Sequence, residues 1–168
     1  MTERVLVVDD NRDAADTLAR EIVELGCEAK AVYDGTQAIE VAATFLPDMA
    51  LIDLRMPGLD GYETASRIRK QCRSAYVILV AVTGWTQEES QRRAYDCGFD
   101  LYIIKPMSVE TLRELLALLD PAIAASEHAG RSRGSGAIIE LADRSPPRND
   151  AESLTVQEPG SFTPAAGL

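Results

Sequence analysis

LIDLRMPGLDGYE, residues 51–63, combines an apolar run, an acid, a chain reversal and the start of a helix. The apolar run favours a buried strand that ends at Asp53, and Pro57 with Gly58 favours a turn before the helix that follows Gly61. A carboxylate at the edge of an apolar layer is costly unless it is paired, solvated or bound to a cation. The stretch therefore predicts one strand–helix unit with a candidate functional acid at Asp53.

The same pattern of an apolar run followed by an amphipathic stretch recurs between residues 4 and 119. This alternation is typical of repeated βα units, which form a parallel sheet covered by helices on both faces. The predicted strands are residues 5–8, 28–32, 49–53, 76–82 and 101–104. The expected fold class is therefore α/β, with five parallel strands and five helices.

The predicted helices differ in how firmly they should dock on the sheet. The fifth has a clean apolar stripe after a capping Ser108, formed by Leu112, Leu115, Leu116 and Leu119. The first should bury Ala14, Leu18, Ile22 and Leu25. The fourth offers mainly Ala94 and Cys97, so we expect it to be the least firmly docked of the five.

Composition changes sharply near residue 120. The 48 residues from 121 to 168 include 5 Gly, 5 Pro and 6 Ser and show little periodicity, which is typical of a flexible tail. We therefore expect a domain at residues 1–120 and a flexible low-complexity tail at residues 121–168. One apolar patch in the tail, residues 137–142 (AIIELA), could dock or fold on a partner, although a solvated segment is the favoured interpretation.

Charge and cysteine content limit the classes of function. The formal net charge of -10 argues against a nucleic-acid binder, because phosphate backbones are held by clustered Lys and Arg. Cys27, Cys72 and Cys97 are widely spaced and have no metal-site pattern, so they are interpreted as core thiols in a reducing compartment. The N-terminus has no signal-peptide core and no run reaches membrane-spanning length, so we expect a cytoplasmic protein without a membrane partner.

Polar side chains follow four of the five predicted strands: Asp9, Asp10, Asp53, Thr83 and Lys105. Ligands of open parallel sheets bind outside the carboxyl ends of the strands, so these side chains should converge. Two carboxylates about 4 Å apart repel by about 4 kcal/mol at an effective dielectric near 20, so three converging acids need a cation. An all-oxygen ligand set favours Mg²⁺, while Thr83 and Lys105 suit phosphoryl oxygens.

Each of these residues also has an ordinary structural interpretation. Asp9 and Asp10 could cap the first helix, Asp53 could cap a loop, Thr83 could belong to a turn and Lys105 could be a solvated surface lysine. Capping alone rarely places polar groups, three of them acidic and one cationic, at the ends of four different strands, so the functional interpretation is favoured for the set.

Four motifs together, VLVVDDN, LIDLRMPGLDGYE, VAVTGW and LYIIKP, resemble the receiver domain of two-component response regulators. The resemblance covers about residues 3–120 and leaves the tail out. It implies a flavodoxin-like, doubly wound sheet with the strand order 2-1-3-4-5. It also implies a cis peptide bond between Lys105 and Pro106.

The resemblance implies a role for each of these residues. Asp53 would be the phosphoacceptor, and Thr83 and Lys105 would hold the phosphoryl oxygens. Mg²⁺ would be bound directly by Asp10, Asp53 and the backbone carbonyl of Arg55, and through water by Asp9. Tyr102 would be the switch aromatic that turns inward as Thr83 moves.

The chain contains one histidine, His128 in the tail, so it offers no plausible internal phosphodonor. The expected donors are a histidine kinase, a histidine phosphotransfer protein or a small acyl phosphate. The expected output is a protein contact through the fourth helix, fifth strand and fifth helix, with a possible phosphorylation-dependent dimer. The protein is expected to be a signalling domain whose only chemistry is its own phosphorylation and dephosphorylation, rather than an enzyme.

Other interpretations remain open. The chain could be a stand-alone regulator or phosphorelay shuttle, which its Met1 start favours, or the receiver part of a hybrid histidine kinase. A Mg²⁺-dependent phosphohydrolase working through an aspartyl phosphate is less favoured, since Arg55 stands where such haloacid-dehalogenase-like enzymes have a second acid. A fixed interaction module is disfavoured by the complete set of acids, threonine and lysine.

Overall fold

Five parallel strands and five helices alternate in the computed structural model, which describes residues 2–71, 77–84, 88–119 and 138–139. The parallel strands are β1 (Arg4–Val8), β2 (Glu28–Val32), β3 (Met49–Asp53), β4 (Ile78–Thr83) and β5 (Leu101–Ile104). The helices are α1 (Arg12–Glu24), α2 (Gly35–Phe45), α3 (Gly61–Gln71), α4 (Glu88–Asp96) and α5 (Val109–Leu116). The predicted α/β class is confirmed.

The order of the parallel strands is β2-β1-β3-β4-β5, as the resemblance implied. A short sixth strand, β6 (Ile138–Ile139), pairs antiparallel with the outer edge of β5. The sequence favoured a solvated segment at residues 137–142, whereas the structure places two of these residues in the sheet. Residues 120–137 and 140–168 lie outside the described part of the chain, so the tail assigned to residues 121–168 stays a prediction.

Apolar side chains of the strands alternate between the two faces of the sheet, because successive residues of a strand point in opposite directions. On one face Leu6, Ile52 and Leu79 pack with residues of α2, α3 and α4, including Phe45 and Ile68. On the other face Val7, Leu51 and Val80 pack with α1 and α5, including Ile22 and Leu115. The two helical layers bury the sheet and leave the carboxyl ends of its strands as the place for a site.

The buried face of α1 differs from the prediction by one residue. Ala14 is exposed and Ala15 is fully buried, while Ile22 is buried as expected. One residue turns a helix by about 100°, so Ala15 rather than Ala14 shares the inward face with Ile22. Of the cysteines, Cys27 is buried and Cys97 only partly so, and Cys72 lies outside the described residues.

Side-chain caps begin four of the five described helices, including α3, where Asp60 accepts a hydrogen bond from the Glu63 amide (2.8 Å). The side chain of Asn11 accepts a hydrogen bond from the Ala14 amide (3.2 Å), and Asp34 accepts one from the Gln37 amide (2.8 Å). Ser108 caps α5, as predicted. These caps satisfy backbone donors that would otherwise have no intrahelical partner. Among the described residues, no helix combines the length and the apolar character needed to cross a membrane.

Candidate functional site: an acidic cluster with a lysine

Three carboxylates meet at the carboxyl ends of β1 and β3. Asp9 and Asp10 follow β1, and Asp53 ends β3, which is the neighbour of β1 in the sheet. One carboxylate oxygen from each of the three lies within 4.8 Å of the others. Asp9 is buried, Asp53 is half-buried and Asp10 is exposed, so the cluster runs from the protein interior to solvent. The predicted convergence of the acids is therefore present in the structure.

Lys105 joins two of these acids. Its Nζ atom donates hydrogen bonds to Oδ2 of Asp9 (2.7 Å) and to Oδ2 of Asp53 (2.8 Å). Burial by itself would lower the pKa of Lys105, but the hydrogen bonds and charges of Asp53 and Asp9 outweigh burial and raise it. The peptide bond between Lys105 and Pro106 is cis, as the resemblance implied. The ammonium group is thus held charged within hydrogen-bond distance of the predicted phosphoacceptor.

The formal charge of the cluster matches in magnitude that of a divalent cation. Three carboxylates and one ammonium sum to -2, and the three carboxylates offer only oxygen ligands. Hard, oxygen-preferring Mg²⁺ usually takes one or two carboxylates and keeps several waters, which suits a cluster with one exposed member. The donor set therefore fits Mg²⁺, with Asp9, Asp10 and Asp53 as the residues that would hold it.

The turn after β3 fixes the orientation of Asp53. Its Oδ1 atom accepts a hydrogen bond from the Arg55 amide (3.0 Å), while its Oδ2 atom faces Lys105. The Asp53 side chain is 12% exposed, so solvent or a small donor can still reach it. The Arg55 carbonyl remains a predicted metal ligand.

Thr83 and Tyr102 lie on the α4 side of the cluster. Thr83 is the last residue of β4, one position past Val82, which pairs with Asp53. The Thr83 carbonyl accepts a hydrogen bond from the Lys105 amide (2.7 Å), which joins the ends of β4 and β5. Tyr102 is 1% exposed, and burial, followed by Tyr62 and Tyr95, raises its pKa. Tyr102 therefore occupies an inward position, while its role as a switch stays a prediction.

Two surface grooves reach this end of the sheet from opposite sides. A groove of about 720 Å³ runs along α1 and is lined by Asp9, Asp53 and Lys105. A second groove, of about 490 Å³, is lined by Arg55 and Thr83 together with residues of α3 and α4. The predicted phosphoacceptor therefore lines the groove along α1, and the predicted switch threonine lines the groove beside α4.

Polar contacts hold α4, the helix that was predicted to dock least firmly. The Arg93 guanidinium lies over the Tyr62 ring, 4.0 Å from its centroid, and 3.5 Å from Oδ2 of Asp60. The Tyr62 hydroxyl donates to the Ser90 carbonyl (3.3 Å). Only Ala94 is buried within α4, so its apolar face is as thin as predicted. The sequence analysis did not predict these contacts, because it judged the docking of α4 from its apolar residues alone. An aromatic residue, Tyr62, close to an acid, Asp60, could have indicated a binding place for an arginine of α4.

Gly61 allows α3 to begin directly against the strand end that carries Asp53. A Cβ atom at Gly61 would lie 2.2 Å from the Asp53 carbonyl oxygen and 2.7 Å from Cα of Leu54. Both are backbone atoms, so Gly61→Ala must shift the turn and should lower the free energy of unfolding by about 2 kcal/mol. Gly84→Ala is the matched control, because a Cβ there meets no atom within 4 Å. Urea denaturation should separate the two variants, and equal midpoints would contradict the predicted clash.

The fold and the acidic cluster together define an α/β protein with an acidic site at the carboxyl ends of its parallel strands. The family model described as "Response regulator receiver domain" matches residues 5–117. The chain therefore belongs to the response regulator receiver domain family. Receiver domains are signalling domains of two-component systems, and phosphorylated aspartate and Mg²⁺ are typical of the family.

Named relatives include regulators of different kinds. The chain is 28% identical over 130 residues to the "DNA-binding dual master transcriptional regulator RpaA" of Synechocystis sp., a match that covers 75% of this chain and 54% of RpaA. It is 34% identical over 117 residues to the "Probable methanogenesis regulatory protein FilR2" of Methanothrix harundinacea, covering 65% of this chain and 76% of FilR2. The chain thus spans about half of the length of RpaA.

A solved structure has the same fold. The chemotaxis protein CheY4 of Vibrio cholerae superposes with a TM-score of 0.67 at 24% sequence identity, and the match covers 70% of this chain and 98% of CheY4. At this identity the similarity concerns the fold alone.

Proposed function

We propose that this receiver accepts a phosphoryl group on Asp53, in a Mg²⁺-dependent reaction, from a histidine kinase or a histidine phosphotransfer protein. The observation that carries the proposal is the placement of Lys105, whose Nζ atom bridges Asp9 and Asp53 within the acidic cluster. An ammonium held at this point can neutralise phosphoryl oxygens as they arrive. Receiver family membership makes histidine kinases the expected class of partner.

The proposed chemistry is a displacement at phosphorus. An Asp53 carboxylate oxygen forms a bond to phosphorus while the bond from phosphorus to the donor breaks, which leaves the donor histidine, or acetate when acetyl phosphate is the donor. The protein's contribution is positioning and charge neutralisation, as in other phosphoryl transfers. Asp53 is oriented by the Arg55 amide, Lys105 supplies positive charge, and Thr83 is proposed to donate to a phosphoryl oxygen.

Mg²⁺ is the proposed cofactor, held by Asp10, Asp53 and the Arg55 carbonyl, with Asp9 acting through water. When bound it would add positive charge beside the phosphoryl oxygens and relieve the repulsion between the carboxylates. Support comes from the formal charge of -2 that the three acids and Lys105 leave at the cluster.

The proposed output is a protein contact through the α4–β5–α5 face, built from Glu88–Asp96, Leu101–Ile104 and Val109–Leu116. The net charge of -10 favours a protein partner over nucleic acid. Thr83 and Tyr102 are proposed to transmit the state of Asp53 to this face. Dimerisation on phosphorylation, a stand-alone role and a cytoplasmic location stay predictions.

The full chain incubated with acetyl phosphate and Mg²⁺ tests the proposed function. Intact-mass spectrometry should find a gain of one phosphoryl group, peptide mapping should locate it at Asp53, and EDTA should prevent it. Sustained release of phosphate from many substrates would instead favour a phosphohydrolase. Absence of labelling would favour a fixed interaction module.

Lys105→Ala should slow this labelling about 100-fold, the usual effect of removing one preorganised donor to developing negative charge. Lys105→Arg should recover only part of the rate, since the planar guanidinium does not replace a compact ammonium. Lys70→Ala, which removes an exposed lysine of α3, is the matched control and should label at the normal rate. Initial rates of mass gain measure all three, and a normal rate for Lys105→Ala would refute the role given to Lys105.

A further inference from the structure

The outer edge of β5 is the place where the parallel sheet ends. In the order β2-β1-β3-β4-β5, one side of β5 pairs with β4 and the other has no parallel neighbour. An open edge presents unpaired backbone donors and acceptors and is a template for pairing with another chain. This edge lies in the middle of the α4–β5–α5 face, between the two helices proposed to form the output surface.

The chain's own tail occupies this edge in the structure. β6 pairs antiparallel with β5, with Tyr102 opposite Ile139 and Ile103 opposite Ile138. Tyr102 is also the predicted switch residue, so β6 pairs with the same short stretch of backbone. The pairing residues lie in the apolar patch at residues 137–142, within a tail otherwise rich in Gly, Pro and Ser. Consecutive isoleucines have high β propensity, which suits them to this place.

The length of β6 makes the pairing weak enough to be reversible. β6 contains two residues, whereas strands in folded proteins are usually about 3–10 residues long. Short, peripheral pairings of this kind open with free energies far below that of global unfolding. The edge of β5 is therefore closed by an element that can leave without unfolding the domain.

We propose that β6 (Ile138–Ile139) forms an intramolecular tail cover for the edge of β5, and that another chain can pair with this edge only after the tail cover leaves. The regulatory meaning of the tail cover rests on the proposed function, because it closes the face that is proposed to bind the output partner. The covering itself rests only on the observed pairing of β6 with β5.

Competition between the tail cover and an outside strand favours the tail cover. Segments linked in one chain meet at effective concentrations that reach the order of 1 mM. A partner strand present at about 10 µM must therefore pair about 100-fold more tightly to displace it. The tail cover thus sets a minimum affinity that a partner strand needs in order to pair with the edge of β5.

Hydrogen exchange of the unmodified full chain tests the tail cover. Ile138→Pro combined with Ile139→Pro removes the backbone donors of β6 and should raise exchange of the peptide containing Leu101–Ile104 about tenfold. Leu154→Pro combined with Val156→Pro places two prolines in the same tail outside β6, and should leave this peptide unchanged. Exchange in the central strand Met49–Asp53 serves as the internal standard for global stability. Equal exchange of β5 in the wild type and the β6 variant would overturn the proposal.

A concentration series separates the tail cover from a second copy of the chain. Protection by an intramolecular segment should be the same at two protein concentrations about tenfold apart. Protection of β5 that falls on dilution would mean that a second copy covers the edge, which would also overturn the proposal. None of these measurements requires phosphorylation. Failure of labelling at Asp53 therefore counts against the proposed function alone, and unchanged β5 exchange counts against the tail cover alone.

Discussion

Replacing Asp53 by asparagine is expected to reduce phosphoryl uptake from acetyl phosphate to the background level of the assay. The amide keeps the shape of the side chain and can still accept the hydrogen bond that the Arg55 amide donates to Oδ1. It loses the anionic oxygen that would attack phosphorus and the charge that faces Lys105 at 2.8 Å. Intact-mass spectrometry, with the circular dichroism spectrum as a check of folding, measures the effect.

Asp60→Asn is the matched control for this variant. Asp60 lies in the same turn region, and its carboxylate accepts a hydrogen bond from the Glu63 amide (2.8 Å), which asparagine can also accept. The control makes the same chemical change and should be phosphorylated at the wild-type rate. Continued labelling of Asp53→Asn, or a loss of labelling confined to Asp60→Asn, would place the phosphoacceptor elsewhere.

Asp100→Ala should lower the free energy of unfolding by about 3 kcal/mol, because it breaks a largely buried ion pair. The Asp100 side chain is 6% exposed, and its Oδ2 atom lies 2.6 Å from Nη2 of Arg69. The same oxygen accepts a hydrogen bond from the Leu79 amide (2.8 Å). Alanine would leave both the guanidinium and a buried backbone amide without this acceptor, and that desolvation dominates the loss.

Arg69 joins parts of the chain that are distant in sequence. Besides Asp100, its guanidinium donates to the carbonyls of Val77 (2.6 Å) and Gly98 (2.9 Å). It therefore ties the end of α3 to the start of β4 and to the turn before β5. Arg69→Met replaces the aliphatic part of the arginine side chain but removes its charge. This variant should still be less stable than the wild type, since Asp100 would then be buried without its counter-ion.

Glu63→Ala is the matched control for the buried pair. Glu63 also forms an ion pair with an arginine, Arg67, but both side chains are more than half exposed. Exposed pairs one helical turn apart contribute only about 0.3–0.5 kcal/mol. Urea midpoints at an unchanged m-value compare the variants. If Asp100→Ala and Glu63→Ala unfold at the same midpoint, the importance assigned to the Arg69–Asp100 pair is wrong.

The sequence predicted the parallel sheet because short apolar runs alternate with amphipathic stretches along the chain. It also predicted that Asp9, Asp53 and Lys105 would meet, because the carboxyl ends of parallel strands share one edge of the sheet. The strand order came partly from the family resemblance and partly from the second strand, which has no site residue at its end and was therefore expected at an edge of the sheet. These features depend on local patterns and on one general rule of topology.

Features that depend on three-dimensional neighbours were missed. The pairing of Arg69 with Asp100 requires knowing where α3 ends relative to the turn before β5, and residue spacing does not encode that position. The contact of Gly61 with the Asp53 backbone depends on the exact path of one turn. The apolar patch at residues 137–142 was noted, but a solvated segment was favoured over pairing, because a short apolar patch in a polar tail has the same local pattern whether it is solvated or paired at a sheet edge.

The contacts that hold α4 make its position sensitive to salt concentration. Arg93 and Asp60 are 61% and 39% exposed, and water and ions therefore surround their charges. At an ionic strength of 0.1 M the Debye length is about 10 Å, so added salt weakens exposed pairs well before it affects buried ones. The Arg69–Asp100 pair at the other end of α3 is shielded from this effect. If a partner binds the proposed α4–β5–α5 face, its affinity should accordingly vary with ionic strength more than the stability of the sheet does.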